Sequence, residues 1–185
     1  MVVMTERQQE MLTVTRASLL HLRAALLRSG DANAAVTLQE AGYAGGTALY
    51  ESFKNWLAER SDIAIEELDV DAFQHRASEY FSETGWGTLL VGNLHDVVAT
   101  LDSADWGECD TNLGAQQPSC HLTTGMFADL FGRLAGAPVA VLEVECRSAG
   151  HERCRFLVGS PDVMDAVYDS MGNGGDYLAA VQAQA

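Results

Sequence analysis

Val139-Ala140-Val141-Leu142-Glu143-Val144-Glu145-Cys146-Arg147-Ser148-Ala149-Gly150-His151-Glu152-Arg153-Cys154-Arg155-Phe156-Leu157-Val158 reads as two strands around a short turn. Residues 139–145 alternate and are rich in β-branched side chains, and residues 154–158 repeat the pattern. Ala149-Gly150-His151 is the turn signal between them. An antiparallel hairpin of this kind brings Cys146 and Cys154 toward each other, as two thiolates sharing one cation require. Zinc takes sulfur, imidazole nitrogen and carboxylate oxygen in a tetrahedron, and a structural site fills all four positions with protein. Cys120, Glu143, Cys146 and Cys154 supply such a set. Strict alternation puts Glu143 and Glu145 on one face and Cys146 on the other, so the strand must bend or end near Cys146. Glu145, His121 and His151 therefore remain competing donors at this point. The same cysteines also suit buried thiols or a disulfide, and the seven residues between Cys146 and Cys154 are not a familiar finger spacing.

The pieces around the hairpin form a recognisable series: Cys109-Asp110-Thr111-Asn112-Leu113-Gly114, then Pro118-Ser119-Cys120, a helix from Gly125 to Gly136, then Glu143-x-x-Cys146 and Cys154-Arg155-Phe156. From about residue 106 to 156 the chain resembles the 4-vinyl reductase domain, also called the hydrocarbon-binding domain. That domain occurs alone in bacteria and archaea and as the sensory module of aromatic-responsive transcriptional activators. Its zinc-binding members carry a Cys before the helix and then Glu, Cys and Cys at these offsets, so the resemblance implies zinc at Cys120, Glu143, Cys146 and Cys154. A looser likeness around Leu38 to Gly46 extends it over most of residues 10–160. The resemblance implies an α+β fold like that of TRAPP-type subunits, with N-terminal helices on a four-stranded antiparallel sheet, a homodimer and an apolar cavity for a small hydrophobic or aromatic ligand. Phenol-sensing members hold the ligand hydroxyl with a His and a Trp. Phe81 and Thr100 stand at the aligned positions here, which points to a more apolar ligand.

Outward from this centre, residues 5–28 carry Met11, Leu12, Leu19, Leu22 and Leu26 at near-helical spacing, with Ser29-Gly30 as a stop. Asp31 is placed to cap a second helix, broken or resumed after Gly42-Tyr43-Ala44-Gly45-Gly46 and continuing through Phe53, Trp56 and Leu57. A third spans about Val70 to Ser82. Residues 86–91 and 96–101 read as a hairpin turning at Gly92-Asn93. The helix from Cys120 to Leu134 buries Met126, Phe127, Leu130, Phe131 and Leu134. Ser160-Pro161-Asp162 opens another through Tyr168, and residues 161–185 form a helical tail whose last piece, from Tyr177, packs on a partner or frays.

With 185 residues, 48% of them hydrophobic, the chain suits one domain with a sizeable core. Acids outnumber bases 26 to 11 for a net charge of −15, which argues against nucleic acid and against an anionic membrane surface. Met1 to Arg7 does not read as a secretory signal and no apolar run spans a bilayer, so a cytoplasmic location is expected. Reduced thiols there favour a metal site over a disulfide.

Three functions fit. The first is a ligand-binding module whose pocket wall comprises Phe81, Trp86, Thr100, Leu101 and Phe127, although such aromatic residues serve equally as ordinary core. The second is an accessory protein or reductase in vinyl reduction of a tetrapyrrole, for which the chain shows no dinucleotide, flavin or iron–sulfur signature. The third is a scaffold subunit. His21, His75 and His95 are isolated, and Cys109 reads as a buried thiol.

Overall fold

The computed structural model describes residues 11–184. Within them six α-helices and four strands follow in the order α1 (Arg16–Arg28), α2 (Ala34–Ala58), α3 (Val70–Glu83), β1 (Leu90–His95), β2 (Val98–Ser103), α4 (His121–Ala135), β3 (Ala140–Glu145), β4 (Cys154–Gly159), α5 (Pro161–Gly172) and α6 (Tyr177–Gln182). The arrangement is α+β. The strands form one antiparallel sheet in the order β1-β2-β4-β3, so the hairpin β3–β4 inserts β4 beside β2.

The sheet separates two cores. On one face Leu101 pairs with Phe156 and Phe156 with Glu143, and this row meets Phe53, Tyr80, Phe81, Trp106, Phe127 and Leu130. On the other, Val98, Val144 and Leu157 pack with Met164 and Val167 of α5 and Ala180 and Val181 of α6. The piece beginning at Tyr177 thus packs on the chain's own sheet, because its small apolar residues complete that second core. Among the described residues no helix is long and apolar enough to cross a membrane.

Three elements differ from the sequence reading. The first helix starts at Arg16, capped by the Thr15 hydroxyl, which accepts from Ser18 N; residues 5–10 of the expected helix lie outside the described residues. The second runs unbroken through Gly42-Tyr43-Ala44-Gly45-Gly46 with Asn33, not Asp31, at its N-cap. Its glycines are there for close approach. A β-carbon on Gly42 would collide with the Leu122 carbonyl, and one on Gly125 with the Gln39 carbonyl, so α2 and α4 pack backbone to backbone. Finally, the first hairpin turns at Asp96-Val97, and Gly92-Asn93 lie inside β1 opposite Thr100 and Ala99. Gly92 serves the sheet by leaving room beside the Thr100 hydroxyl.

Candidate metal centre

Cys120 stands at the N-cap of α4, Glu143 on β3, Cys146 just past it and Cys154 at the start of β4. One donor atom from each lies within 4.8 Å of all the others, and all four side chains are buried. All four cysteines of the chain are free thiols, which removes the disulfide alternative. Cys120 Sγ and Cys146 Sγ are 3.8 Å apart. Two sulfurs bound to one tetrahedral zinc at ~2.3 Å would stand at about that separation.

A bulge selects the carboxylate. Glu143 pairs with Phe156 and Glu145 with Arg155, so Val144 is the extra residue and Glu145 is turned to the opposite face from Glu143. The strand bends where Cys146 needs it to. Glu143 Oε2 accepts the Cys120 N–H at 2.8 Å, while its buried Oε1 has no hydrogen-bond partner among the described residues and is left for a cation. Glu145 is engaged elsewhere. It accepts from Arg153 Nε at 2.9 Å and from the Tyr177 hydroxyl at 2.5 Å, on the face that α6 covers. His151 lies at the exposed turn, its Nδ1 3.1 Å from the Cys146 backbone nitrogen and carbonyl oxygen, and His121 opens α4 half-buried; neither joins the four donors. The tip itself closes with a 3-10 turn over Arg147–Ala149 and Gly150 at φ 93°, a backbone shape that suits glycine.

Electrostatics agree with a cation-binding role. Hydrogen bonds from the Cys120 and Cys154 thiols draw Cys146 well below the ordinary thiol value. Cys120 is raised by its bond to Cys146, and Cys154 by its contacts with Cys109 and Cys120. Burial and the neighbouring Cys146 push the Glu143 carboxyl up to about 9. These are the shifts of donors crowded together without compensating positive charge. Cys109, buried and outside the four, takes a 3.6 Å hydrogen bond from the Ser148 hydroxyl.

Behind the centre lies a buried pair that sequence reading missed. Arg23 of α1 is 1% exposed and Glu108 is fully buried, with Arg23 Nε 3.1 Å from Glu108 Oε1. Arg23 also donates to the Ser119 carbonyl and hydroxyl, both at 2.6 Å from Nη2. Glu108 accepts from Leu122 N, Thr123 N and the Thr123 hydroxyl, and so caps α4 beside Cys120. Burial pushes the Glu108 carboxyl up, and the Thr123 hydroxyl and Arg23 act against it. An arginine amid Leu22, Ala24 and Ala25 carries no local sign of burial.

Of the expected pocket wall, Phe81, Leu101 and Phe127 come together on the metal-side core. Trp86 borders it, stacked on Trp106 at 5.6 Å between ring centroids. Thr100 does not join them. It pairs with Leu157 and faces the α5–α6 side, since adjacent strand residues point to opposite faces. Trp106 is the hub that was not foreseen: fully buried, it meets Phe81 at 5.5 Å, Phe127 at 5.2 Å and Phe156 at 6.4 Å.

The stretch that supplies all of this, residues 104–160, matches the family model of the 4-vinyl reductase domain. This part of the chain is a 4-vinyl reductase domain. It contains the four candidate donors, Trp106, Glu108 and the hairpin β3–β4. A curated relative, the uncharacterised protein MJ0745 of Methanocaldococcus jannaschii, is 28% identical over 80 residues, which make up 43% of this chain. The matched part is 42% of that relative, so the chain spans well under half the length of the curated protein it matches. Among solved structures, the phenol-responsive sensory domain of the transcription activator PoxR, crystallised with phenol, superposes with a TM-score of 0.59 at 21% identity, covering 81% of this chain and 76% of that one. Its fold is shared. A vinyl-4-reductase family protein from M. jannaschii covers 85% of this chain and 97% of its own at 15% identity and a TM-score of 0.42.

Proposed function

We propose that this chain is a zinc-stapled receptor for a small hydrophobic or aromatic molecule, working through a homodimer or another partner. The observation that carries the zinc reading is the buried Cys120–Glu143–Cys146–Cys154 cluster, whose spacing and unpartnered Glu143 oxygen fit a tetrahedral ion. Four protein donors close the coordination sphere, so the ion's role is to fasten the β3–β4 hairpin to the head of α4; a catalytic zinc keeps a position open.

The receptor reading is supported by the shared fold of a phenol-responsive domain and by the aromatic cluster of Phe81, Trp106, Phe127 and Phe156 between helices and sheet. The rings pack against each other, with Phe81 and Phe127 at 5.7 Å, and a guest enters by parting them. Phenylalanine at position 81 offers the guest no hydrogen bond, and Thr100 faces away from the cluster, so a ligand with little polar character is expected. The dimer reading is supported by the exposed apolar residues Leu12, Leu22, Val36 and Tyr43 at the N-terminal helices.

Metal analysis of the untagged protein tests the first part: about one zinc per chain is expected, lost in Cys146→Ser. A thermal-shift series with one- and two-ring aromatics tests the second. Stabilisation that grows with ligand concentration supports it. A flat series, with native mass spectrometry showing no adduct, would refute the receptor reading.

A further inference from the structure

The Arg23–Glu108 pair joins two parts of the molecule that are otherwise separate in chemistry. From the aromatic core, Trp106 Nε1 donates to the Thr123 hydroxyl at 2.7 Å, and that hydroxyl donates to Glu108 Oε2 at 2.6 Å. Glu108 Oε1 accepts from Arg23 Nε at 3.1 Å. Arg23 Nη2 donates to Ser119 Oγ at 2.6 Å, and Ser119 Oγ lies 3.9 Å from Cys146 Sγ. Because Ser119 Oγ accepts from the arginine, its own hydrogen is free to point at the sulfur. Every donor has an acceptor along the way.

The pair is an expensive way to fill a core. A buried ion pair is often no more stable than apolar residues of the same volume, and here Arg23 Nη1 has no hydrogen-bond partner among the described residues. What the pair supplies is position. It holds the residue preceding Cys120, caps the helix that Cys120 begins, and anchors α1, which is otherwise tied to this region by Arg16 through the carbonyls of Trp106, Gly107 and Cys109.

We propose that Arg23, Glu108 and Ser119 are positioning residues that couple the metal centre to the aromatic core, so that an ion at the cysteines resets Trp106 and the seat of α1. The ion draws Cys120 and Cys146 together, Ser119 moves with them, and the hydrogen-bonded chain transmits the change to the indole. By reciprocity, a guest that shifts Trp106 alters ion affinity by the same factor. The inference rests on the metal reading above.

The chain has three tryptophans, so Trp56→Phe with Trp86→Phe leaves Trp106 as the sole indole. In that background, zinc titration of chelator-stripped protein is expected to change the Trp106 emission, and Co2+ titration to give a thiolate-to-metal charge-transfer band with the same stoichiometry. Adding Arg23→Lys, which keeps the charge and loses the two-pronged contact, should leave the Co2+ band but cut the emission change several-fold and weaken zinc about 10-fold in chelator competition. Ser119→Ala in the otherwise unaltered protein removes a single hydroxyl and leaves the backbone contact intact. It should weaken zinc by several-fold and shift the Co2+ band. A Co2+ band with a Trp106 emission indifferent to zinc overturns the coupling and leaves the metal reading standing, as does a Ser119→Ala protein with native affinity and band. Absence of the band in the wild type overturns the metal reading itself.

Discussion

Glu143 and Glu145 stand two positions apart in the chain and on opposite faces of the sheet, because Val144 is an extra residue in the β3 ladder. One aims an unpartnered oxygen into the sulfur cluster, and the other holds Arg153 and Tyr177. Glu143→Gln should therefore weaken zinc by more than ~100-fold, beyond the about 10–100-fold that outer partners of a metal site are worth. Glu145→Gln should keep the ion and cost ~1 kcal/mol of stability through the lost contacts to α6. Chelator competition and urea unfolding of the two variants separate these outcomes, and zinc lost from the second but not the first would reverse the assignment. The raised Glu143 and Cys120 groups also set a sign for pH. Groups held above their ordinary values keep protons that an incoming ion must displace, so affinity falls as pH drops and climbs toward about 9, where the Glu143 carboxyl ionises by itself. Calorimetric zinc titrations in two buffers of different ionisation enthalpy should show protons released at pH 7. Identical heats in both would contradict it.

The helix pair α2 and α4 shows how small residues govern an element's position. At Gly42 and Gly125 an added β-carbon meets backbone carbonyls of the other helix, which have no rotamer with which to yield, whereas Gly45 on α2 faces open space. Gly42→Ala or Gly125→Ala should cost about 3 kcal/mol or more by forcing the helices apart, and because α4 carries Cys120 it should loosen zinc as well. Gly45→Ala should instead stabilise by up to ~1 kcal/mol, as alanine does inside an exposed helix. Urea melts of the three variants give the comparison; a neutral Gly42→Ala would mean that the crossing is looser than described. The same glycines explain why α2 is continuous although its sequence looks broken. A run containing three glycines signals a stop by propensity alone, and tertiary contact with α4 outweighs that preference. The shifted β1–β2 turn has a similar origin: Gly92 looks like a turn residue, yet the space beside Thr100 places it in a strand.

In the molecule as a whole, the two cores on either side of the sheet should respond differently to metal removal. Stripping zinc is expected to lower hydrogen-exchange protection at the first turn of α4 and along β3–β4, while Val98, Val167 and Val181 on the far face keep theirs. Uniform loss of protection would mean that the centre stabilises the fold globally. Analytical ultracentrifugation is expected to show a dimer that Leu22→Glu dissociates, since Leu22 is 66% exposed on α1. The extent of the helices α3 and α4, the two strands of the metal hairpin and the identity of three sulfur ligands were all legible in the chain, because periodicity, turn residues and cysteine spacing are local signals. The choice of Glu143, the side on which Thr100 lies, the burial of Arg23 against Glu108 and the central place of Trp106 were not. Each depends on a register, a bulge or a partner some 17 to 96 positions away, as the Trp106–Thr123 and Arg23–Ser119 bonds show, and such long-range pairings exist only once the layers have packed.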